Sequence, residues 1–278
     1  MRARLSVCGI PAKSLPMSFP YSTALITGAS SGIGYAFAEA LAAKGCDLIL
    51  VARSGDKLRE LAARLAQAHG RRVEVIAADL AQLSPAAALK SAVDRLGMKV
   101  DLLVNNAGFG TKDAFETLDP VREQQEVLLN IGAVVDLSRA FLPGMLEGGR
   151  GGIINLASMA GFQPTPYMAV YGASKAFVWA FTDALWVETG GRGVHVMAVC
   201  PGPVDTAFFD LPGIVGLRES LPKGSALRPE QVVEAALKGL LAKRRLVIPG
   251  TLVHALSWVT RLGPRALMAI GAGRAMNR

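Results

Sequence analysis

The chain has 278 residues, of which 51% are hydrophobic and 6% aromatic, and it carries a formal net charge of +8. This length and apolar content suffice for one α/β domain with a large buried core. Cys8, Cys46 and Cys200 are an odd set without metal-type spacing, which predicts reduced thiols, a cytoplasmic protein and no metal site. The positive charge is concentrated in the termini, because no acidic residue comes before Glu39 or after Glu234. Basic and aromatic residues are not interleaved, so no nucleic-acid partner is expected.

Residues 1–20 contain three prolines and show no periodic pattern of apolar residues. The apolar run 5–10 is too short and too interrupted for the hydrophobic region of a signal peptide. We expect this segment to be a disordered N-terminal extension. Met17, just ahead of the first predicted strand, is a second candidate for the translation start.

A glycine-rich loop follows the first predicted strand, residues 22–27. The loop reads G-A-S-S-G-I-G and leads into a predicted helix over residues 35–44. Glycines at 28, 32 and 34 allow a sharp turn, a close approach of backbone to a pyrophosphate, and tight packing of helix on strand. The positive end of the helix dipole then faces the phosphates. In this setting of strand, loop and helix, the pattern indicates a dinucleotide site.

The end of the second predicted strand, residues 47–52, indicates which dinucleotide binds. NAD-binding units place an Asp or Glu here to accept hydrogen bonds from the adenosine ribose. That carboxylate is missing, and Arg53 follows the strand instead. A guanidinium binds phosphate through two parallel hydrogen bonds, so we expect NADP(H) with its 2′-phosphate on Arg53. The alternative is a surface arginine that simply precedes a helix.

Strands and helices alternate through the rest of the chain. This alternation predicts an α/β fold with a Rossmann-type doubly wound parallel sheet, in a single domain over residues 21–250. Further strands are expected at 73–77, 100–104, 152–156, 194–200 and 245–248, and helices at 57–68, 85–96, 120–141, 171–189 and 229–242. Residues 207–227, rich in glycine and proline, are expected to form a lid over the substrate.

Polar residues in the second half of the sheet carry the predicted chemistry. Tyr171 and Lys175 are four residues apart in Y-G-A-S-K, so on a helix both side chains reach the same small molecule. A nearby ammonium group favours the phenolate and lowers the pKa of the tyrosine toward the working range of an acid–base catalyst. Ser158 follows a strand and can donate a hydrogen bond to a substrate carbonyl. Asn130, on an otherwise apolar helix, is either a structural hydrogen-bonding residue or a catalytic one.

The ordered set of motifs resembles the short-chain dehydrogenase/reductase superfamily over residues 21–250. The set comprises T-G-A-S-S-G-I-G, N-N-A-G, Asn130, Ser158, Y-G-A-S-K and P-G-P-V-D-T. Each motif is common by itself, whereas the set in this order and spacing is specific. Within the family, L-V-A-R-S and the stretch G-F-Q-P-T-P-Y-M-A-V-Y-G-A-S-K-A-F look like a bacterial branch often labelled DltE-like, a label that implies no particular substrate.

The resemblance implies a role for each of the four polar residues. Tyr171 is expected to be the acid in carbonyl reduction and the base in alcohol oxidation. Lys175 is expected to lower the tyrosine pKa and to hold the nicotinamide ribose. Ser158 is expected to orient and polarise the carbonyl, and Asn130 to hold a water that links Lys175 to solvent.

The resemblance also implies the contacts of the cofactor. The expected contacts are Gly28, Ser31, Ile33 and Gly34 for the pyrophosphate, Asp79 and Leu80 for the adenine, Asn106, Ala107 and Gly108 behind the cofactor, and Val204 and Thr206 for the carboxamide. The expected set is completed by Ser30, Pro201, Gly202, Tyr171 and Lys175.

Residues 251–278 depart from the family pattern and form a C-terminal extension. The apolar stretch 251–270 is interrupted by Arg261, Pro264 and Arg265, which makes it a poor transmembrane span. His254, Arg261 and Arg265 fall on one helical face, and this is a basic amphipathic pattern. We expect a helix that packs on the core or on another subunit. Docking on a membrane surface is the alternative.

The expected function is the NADPH-dependent interconversion of a carbonyl and a secondary alcohol on an apolar small molecule. Phe109, Phe162, Tyr167, Phe208 and Phe209 are the apolar candidates for its pocket. The alternatives are a 3-oxoacyl reductase and a non-catalytic NADP(H)-binding regulatory protein. The resemblance further implies a homodimer or homotetramer.

Overall fold

The computed structural model describes residues 19–210, 214, 225–251, 253–255, 257 and 264–276. Within these residues, seven parallel strands form one sheet: β1 (Thr23–Thr27), β2 (Asp47–Ala52), β3 (Val73–Ala77), β4 (Leu102–Asn105), β5 (Gly151–Leu156), β6 (Val194–Val199) and β7 (Leu246–Val247). Their order across the sheet is β3-β2-β1-β4-β5-β6-β7, so the predicted doubly wound sheet is confirmed. The strand order reverses between β1 and β4, and this reversal leaves a crevice at the carboxyl ends of the strands.

Helices cover both faces of the sheet. They are α1 (Gly32–Ala43), α2 (Gly55–His69), α3 (Pro85–Arg95), α4 (Pro120–Val127), α5 (Ala133–Glu147), α6 (Ala169–Glu188), α7 (Pro229–Leu241) and α8 (Arg265–Met276). Side chains alternate across β1, so Ile26 packs in the core with α1, α2 and α7, while Leu25 packs in the core with α3 and α5. Both strand residues are fully buried, which contributes about 1.5–3 kcal/mol for each such side chain.

One helical segment differs from its expected length. The helix expected over residues 120–141 continues to Glu147, and a π-helical turn, Leu128–Gly132, joins α4 to α5. Pro143 lies inside α5 without ending it, because buried Phe141 and Met145 anchor the helix to the sheet on either side. By length and composition alone, Pro120–Glu147 is the one described helix that would suffice to cross a membrane. The buried side chains of α5 show that much of this apolar surface packs on the sheet.

Both ends of the chain extend beyond the sheet. The N-terminal extension was predicted for residues 1–20, of which 1–18 lie outside the described residues; the Phe19 ring packs 5.6 Å from that of Tyr21. At the other end α8 begins directly after Pro264, with Leu267 and Ile270 exposed. The predicted basic face depends on Arg261, which lies outside the described residues. Of the predicted lid, residues 207–210 form a short 3-10 helix, while 211–213 and 215–224 lie outside the described residues.

Candidate active site

A cavity of about 660 Å³ lies at the carboxyl ends of the strands. It is lined by Ser158 and by most residues of the predicted cofactor set: Gly28, Ser30, Ser31, Ile33, Arg53, Asp79, Leu80, Asn106, Ala107, Gly108, Tyr171, Lys175, Pro201, Gly202, Val204 and Thr206. Gly34 and Asn130 do not line it. Residues from six connections between strands and helices therefore meet in one place, as expected where a doubly wound sheet reverses its strand order.

The glycine-rich turn forms the first wall of the cavity. Gly28 has a φ of +67°, a backbone conformation that side chains disfavour. A Cβ added to Gly34 would collide with the Gly28 carbonyl oxygen, so Gly34 supports the turn from below. Asn106 fixes the turn from β4, because its Nδ2 donates a 2.8 Å hydrogen bond to the Thr27 carbonyl. The turn is thus held in a shape that only glycines allow.

The start of α1 fits an anionic group. Ser31 stands at the N-terminal cap position of α1 and makes no capping bond with its side chain. The first amide groups of the helix are therefore not satisfied by that side chain, and they lie at the positive end of the helix dipole. Thr206 closes the cavity from the opposite side, since its Cγ2 would lie 3.1 Å from a Cβ added to Gly32. This arrangement fits a pyrophosphate between α1 and the turn after β6.

The adenosine end is formed by the residues that follow β2 and β3. Arg53 is exposed at the end of β2, and among the described residues no ion pair involves it. Asp79 accepts a 2.9 Å hydrogen bond from the Ala81 amide, and Leu80 beside it is buried. A free guanidinium next to an apolar floor fits a phosphate-bearing adenosine.

Two glycines allow the loop that carries Ser158 to pack closely against α6, the helix that carries Tyr171. The loop after β5 passes so close to α6 that a Cβ on Gly161 would lie 2.7 Å from the backbone carbon of Lys175. One turn earlier in α6, a Cβ on Gly172 would collide with the Thr165 hydroxyl. The loop therefore folds down onto the start of the helix, so that Ser158 and Tyr171 both line the cavity.

The electrostatics of Tyr171 differ from the expectation. Burial raises the pKa of Tyr171 to about 12, although the Ser158 hydroxyl works in the opposite direction. The predicted lowering by Lys175 is therefore wrong for this structure. Lys175 is itself only 6% exposed, and burial lowers its pKa to about 8. Its ammonium group donates a 3.0 Å hydrogen bond to the Leu156 carbonyl and lies 5.7 Å from the centre of the tyrosine ring.

Asn130 is fully buried behind the cavity wall and connects two segments through hydrogen bonds. Its Nδ2 donates to the Phe109 carbonyl at 2.9 Å, and its Oδ1 accepts from the Phe109 amide at 3.2 Å. Nδ2 also donates to the Ser174 hydroxyl at 3.0 Å. The side chain thus holds the loop after β4 against α6. Asn130 lies in the π-helical turn, a geometry that is frequent at functional sites.

The substrate end of the cavity only partly matches the predicted aromatic set. Phe109, Phe208 and Phe209 line it, whereas Phe162 and Tyr167 do not. Phe162 is instead buried edge-on against Trp179, with 4.7 Å between the ring centres. The cavity also contains lining residues that the sequence analysis missed, namely Arg122, Gln125, Leu129, Gln163, Thr165, Met168 and Val253. Arg122, Gln125, Leu129 and Val253 lie in no motif, so the sequence offers no signal for them. Gln163, Thr165 and Met168 lie within the stretch that resembles the DltE-like branch, a label that assigns them no role.

Comparisons with known proteins agree with this fold and site. The family model of the short chain dehydrogenases matches residues 22–211. A very-long-chain 3-oxoacyl-CoA reductase of Phaeosphaeria nodorum is 38% identical over 249 residues, which cover 86% of this chain and 70% of that protein.

Two solved structures are similar over most of their length. The short-chain dehydrogenase from Sphingobium yanoikuyae in complex with NADPH is 34% identical with a TM-score of 0.77, over 88% of this chain and 97% of that one. The bulky-bulky ketone specific alcohol dehydrogenase from Comamonas testosteroni is 32% identical with a TM-score of 0.73, over 89% of this chain and 96% of that one.

The chain therefore belongs to the short-chain dehydrogenase/reductase family and is an oxidoreductase. The glycine turn, Ser158, Tyr171 and Lys175 line one cavity, as that family assignment requires. The DltE-like branch within the family stays a prediction.

Proposed function

We propose that the protein uses NADP(H) to interconvert the carbonyl group of an apolar or amphipathic small molecule and the corresponding secondary alcohol. The observation that carries this proposal is that Ser158 and Tyr171 place two hydroxyl groups in the wall of one largely apolar cavity, beside Lys175. One hydroxyl can orient a carbonyl oxygen while the other delivers a proton to it. When bound, the nicotinamide supplies the hydride to the carbonyl carbon or takes it from the carbinol.

Tyr171 and Lys175 carry out the proton transfer in this mechanism. In reduction, Tyr171 gives its proton to the carbonyl oxygen, and Ser158 donates a hydrogen bond to the same oxygen. The raised pKa of Tyr171 keeps the acid form available at neutral pH, which suits the direction of reduction. Lys175, whose pKa is lowered to about 8, is a proton source for the resulting phenolate. Asn130 supports this pair from behind through Phe109 and Ser174.

A tyrosine-to-phenylalanine pair tests the proposal. Tyr171→Phe should retain NADPH binding and lose about 10²–10⁴-fold in kcat, the usual contribution of a general acid. Tyr167→Phe is the matched control, because Tyr167 is four residues away and does not line the cavity. The probes are an aryl ketone and an acetoacetyl thioester, read by loss of NADPH absorbance. Undiminished turnover in Tyr171→Phe would overturn the assignment. No turnover by the unmodified protein, with NADPH binding intact, would favour a non-catalytic NADP(H)-binding regulatory protein.

A second candidate function, reduction of a 3-oxoacyl thioester, is favoured by Arg122. Its guanidinium carbon lies 3.8 Å from the centre of the Phe109 ring, so the charge is held in the cavity wall. Within the described part of the chain no ion pair involves Arg122. An unpaired cation at the edge of an apolar pocket suits an acyl chain attached to an anionic carrier, and the Phaeosphaeria nodorum relative is named for such a substrate.

The two candidates are separated by the charge of the thioester. Arg122→Gln should raise KM for acetoacetyl-CoA about tenfold, the loss of a contact of about 1.4 kcal/mol. The same variant should leave KM unchanged for the neutral N-acetylcysteamine thioester. Arg139→Gln serves as the control, because Arg139 is an exposed arginine on the next helix and does not line the cavity. Equal KM values for both thioesters in Arg122→Gln would favour a neutral ketone as the substrate.

We also propose a homodimer or homotetramer in the cytoplasm. Exposed apolar side chains support the assembly: Phe177 and Val187 on α6 are 39% and 68% exposed, and Val127 on α4 is 42% exposed. The buried thiols of Cys46 and Cys200 suit a reducing compartment. Light scattering coupled to size-exclusion chromatography tests the assembly, and Val187→Glu should shift it toward the monomer. Cell fractionation tests the location.

A further inference from the structure

Two carboxyl groups that the proposed mechanism does not use lie buried on α4. Glu126 is 0% exposed and Glu123 is 9% exposed. Each has one oxygen, Oε1 of Glu126 and Oε2 of Glu123, without a hydrogen-bond partner among the described residues. Buried carboxylates without partners are costly, so their presence requires an explanation.

Both carboxyl groups contact the same hydroxyl. Thr111 Oγ1 lies 2.5 Å from Glu123 Oε1 and 3.0 Å from Glu126 Oε2. A threonine hydroxyl has one proton and can donate it to only one of them. The shorter distance is that of a hydroxyl bound to a carboxylate, which assigns the negative charge to Glu123. The second contact is then attractive only if Glu126 carries a proton, so the geometry holds one proton between two carboxyl groups.

This pair is close enough to the proposed catalytic residues to affect them. Glu126 lies one helical turn before Asn130, and its charge interacts with both Tyr171 and Lys175 across the contact of α4 with α6. The net pKa of Glu126 is raised to about 7. Burial and the charge of Glu123 raise it, whereas the Thr111 hydrogen bond and Lys175 lower it. Its charge therefore changes near neutral pH.

The other charged neighbours act differently. Arg122, one turn earlier on α4, is turned over the Phe109 ring, and Glu123 acts on Glu126. Charge on the buried Cys200 would act on Tyr171 and Lys175 in the same direction as Glu126, but Cys200 is a thiol at the end of the sheet and not a carboxyl. Glu126 is thus the carboxyl whose charge reaches both members of the Tyr171 and Lys175 pair.

We propose that Glu126 is a positioning residue whose ionisation, set by the proton it shares with Glu123 through Thr111, extends the pH range in which Tyr171 keeps its proton. Once ionised, Glu126 disfavours a second negative charge on the Tyr171 phenolate and favours the Lys175 ammonium. Both effects maintain the proton donor as the pH rises. The inference rests on the proposed role of Tyr171 as the proton donor.

The first test measures the proton without measuring activity. Infrared difference spectra of the whole protein, Glu126→Gln against wild type, should show a protonated carboxyl band in wild type at pH 6 that disappears by pH 8. The band should persist in Glu123→Gln but vanish at lower pH, because Glu123 raises the pKa of Glu126. A wild-type spectrum at pH 6 without this band would contradict the proposal that Glu126 and Glu123 share a proton, whether or not the protein reduces ketones.

The second test measures the pH profile of kcat for ketone reduction. Glu126→Gln should move the alkaline limb down by about 0.5–1 unit, because removal of a nearby charge lowers the pKa of Tyr171. Glu123→Gln, which removes the other carboxyl group that contacts the Thr111 hydroxyl, should leave the alkaline limb unchanged. Equal shifts in both variants, or no shift in Glu126→Gln, overturn the coupling.

The readouts also separate this inference from the proposed function. Activity retained in Tyr171→Phe would remove the function itself, whereas an unshifted limb in Glu126→Gln with an inactive Tyr171→Phe would remove only the inference. If Glu126→Gln does not fold, Glu126→Met replaces it, because methionine has a similar length and carries no charge. The limb should move down by a similar amount, and an unmoved limb in folded Glu126→Met also overturns the coupling.

Discussion

Asn105 of β4 and Asn155 of β5 face each other across the sheet, and the side-chain amide of Asn105 donates a 2.9 Å hydrogen bond to Asn155 Oδ1. Both residues are buried. Asn155 Nδ2 continues the chain to the Thr182 hydroxyl at 2.9 Å, and Thr182 belongs to α6. A buried polar network thus ties the helix that carries Tyr171 to the strand that leads to Ser158.

Breaking this network should destabilise the fold. Asn155→Leu removes one hydrogen bond each from Asn105 and Thr182, which keep only their bonds to Ser138 and to the Val178 carbonyl. We expect the free energy of unfolding to fall by about 1–3 kcal/mol. Urea denaturation measures the change. The control is Gln67→Leu on the exposed face of α2, where a change within about 0.5 kcal/mol is expected. Equal stability of the two variants would mean that the network contributes nothing.

Gly34 should be required for cofactor binding. Gly34→Ala places a Cβ against the Gly28 carbonyl oxygen and forces the turn open. We expect NADPH affinity to fall more than tenfold, about 1.4 kcal/mol or more, as followed by nicotinamide fluorescence. Gly144→Ala in α5 is the matched control, since a Cβ there meets nothing within 4 Å. Unchanged affinity in Gly34→Ala would show that the turn adapts.

Arg53 should select the 2′-phosphate. Loss of a charged hydrogen bond costs about 1.5–3 kcal/mol, so Arg53→Ala should weaken NADPH binding about 10–100-fold and leave NADH binding unchanged. Arg59→Ala is the control, because Arg59 lies in α2, the helix that follows Arg53, and pairs with Asp56 at 2.5 Å. If wild type binds NADH and NADPH equally, Arg53 does not read the phosphate and is a surface arginine.

The pH dependence of stability should report on Glu126. Its pKa in the folded protein is raised from 4.5 to about 7, so the folded state holds more protons than the unfolded state between these values. The free energy of unfolding should therefore fall by an amount on the order of 3 kcal/mol as the pH rises from 4.5 to about 7. Thermal unfolding from pH 4.5 to 8 should show this decline in wild type. The decline should be much smaller in Glu126→Gln, and parallel curves would contradict the raised pKa.

The sequence predicted the fold and the cofactor half of the site because short-range rules govern both. Alternating apolar runs and turn residues are local signals, and Gly28, Gly34 and Arg53 act through the backbone or charge at one position. The spacing of Tyr171 and Lys175 is likewise a property of one helix. None of these features depends on which segments pack together.

Only the tertiary structure decided the electrostatics and the substrate end. The pKa of Tyr171 follows from burial by several segments, so its rise could not be derived from Lys175 alone. Phe162, expected in the pocket, packs on Trp179 instead, while Arg122, which no motif indicated, lines the cavity. The side on which a loop or helix residue points depends on what packs against it. The contact of Glu123 and Glu126 with Thr111 joins positions on a helix and a loop. Desolvation and long-range packing depend on the whole fold, whereas turns and helical spacing are determined within a few residues.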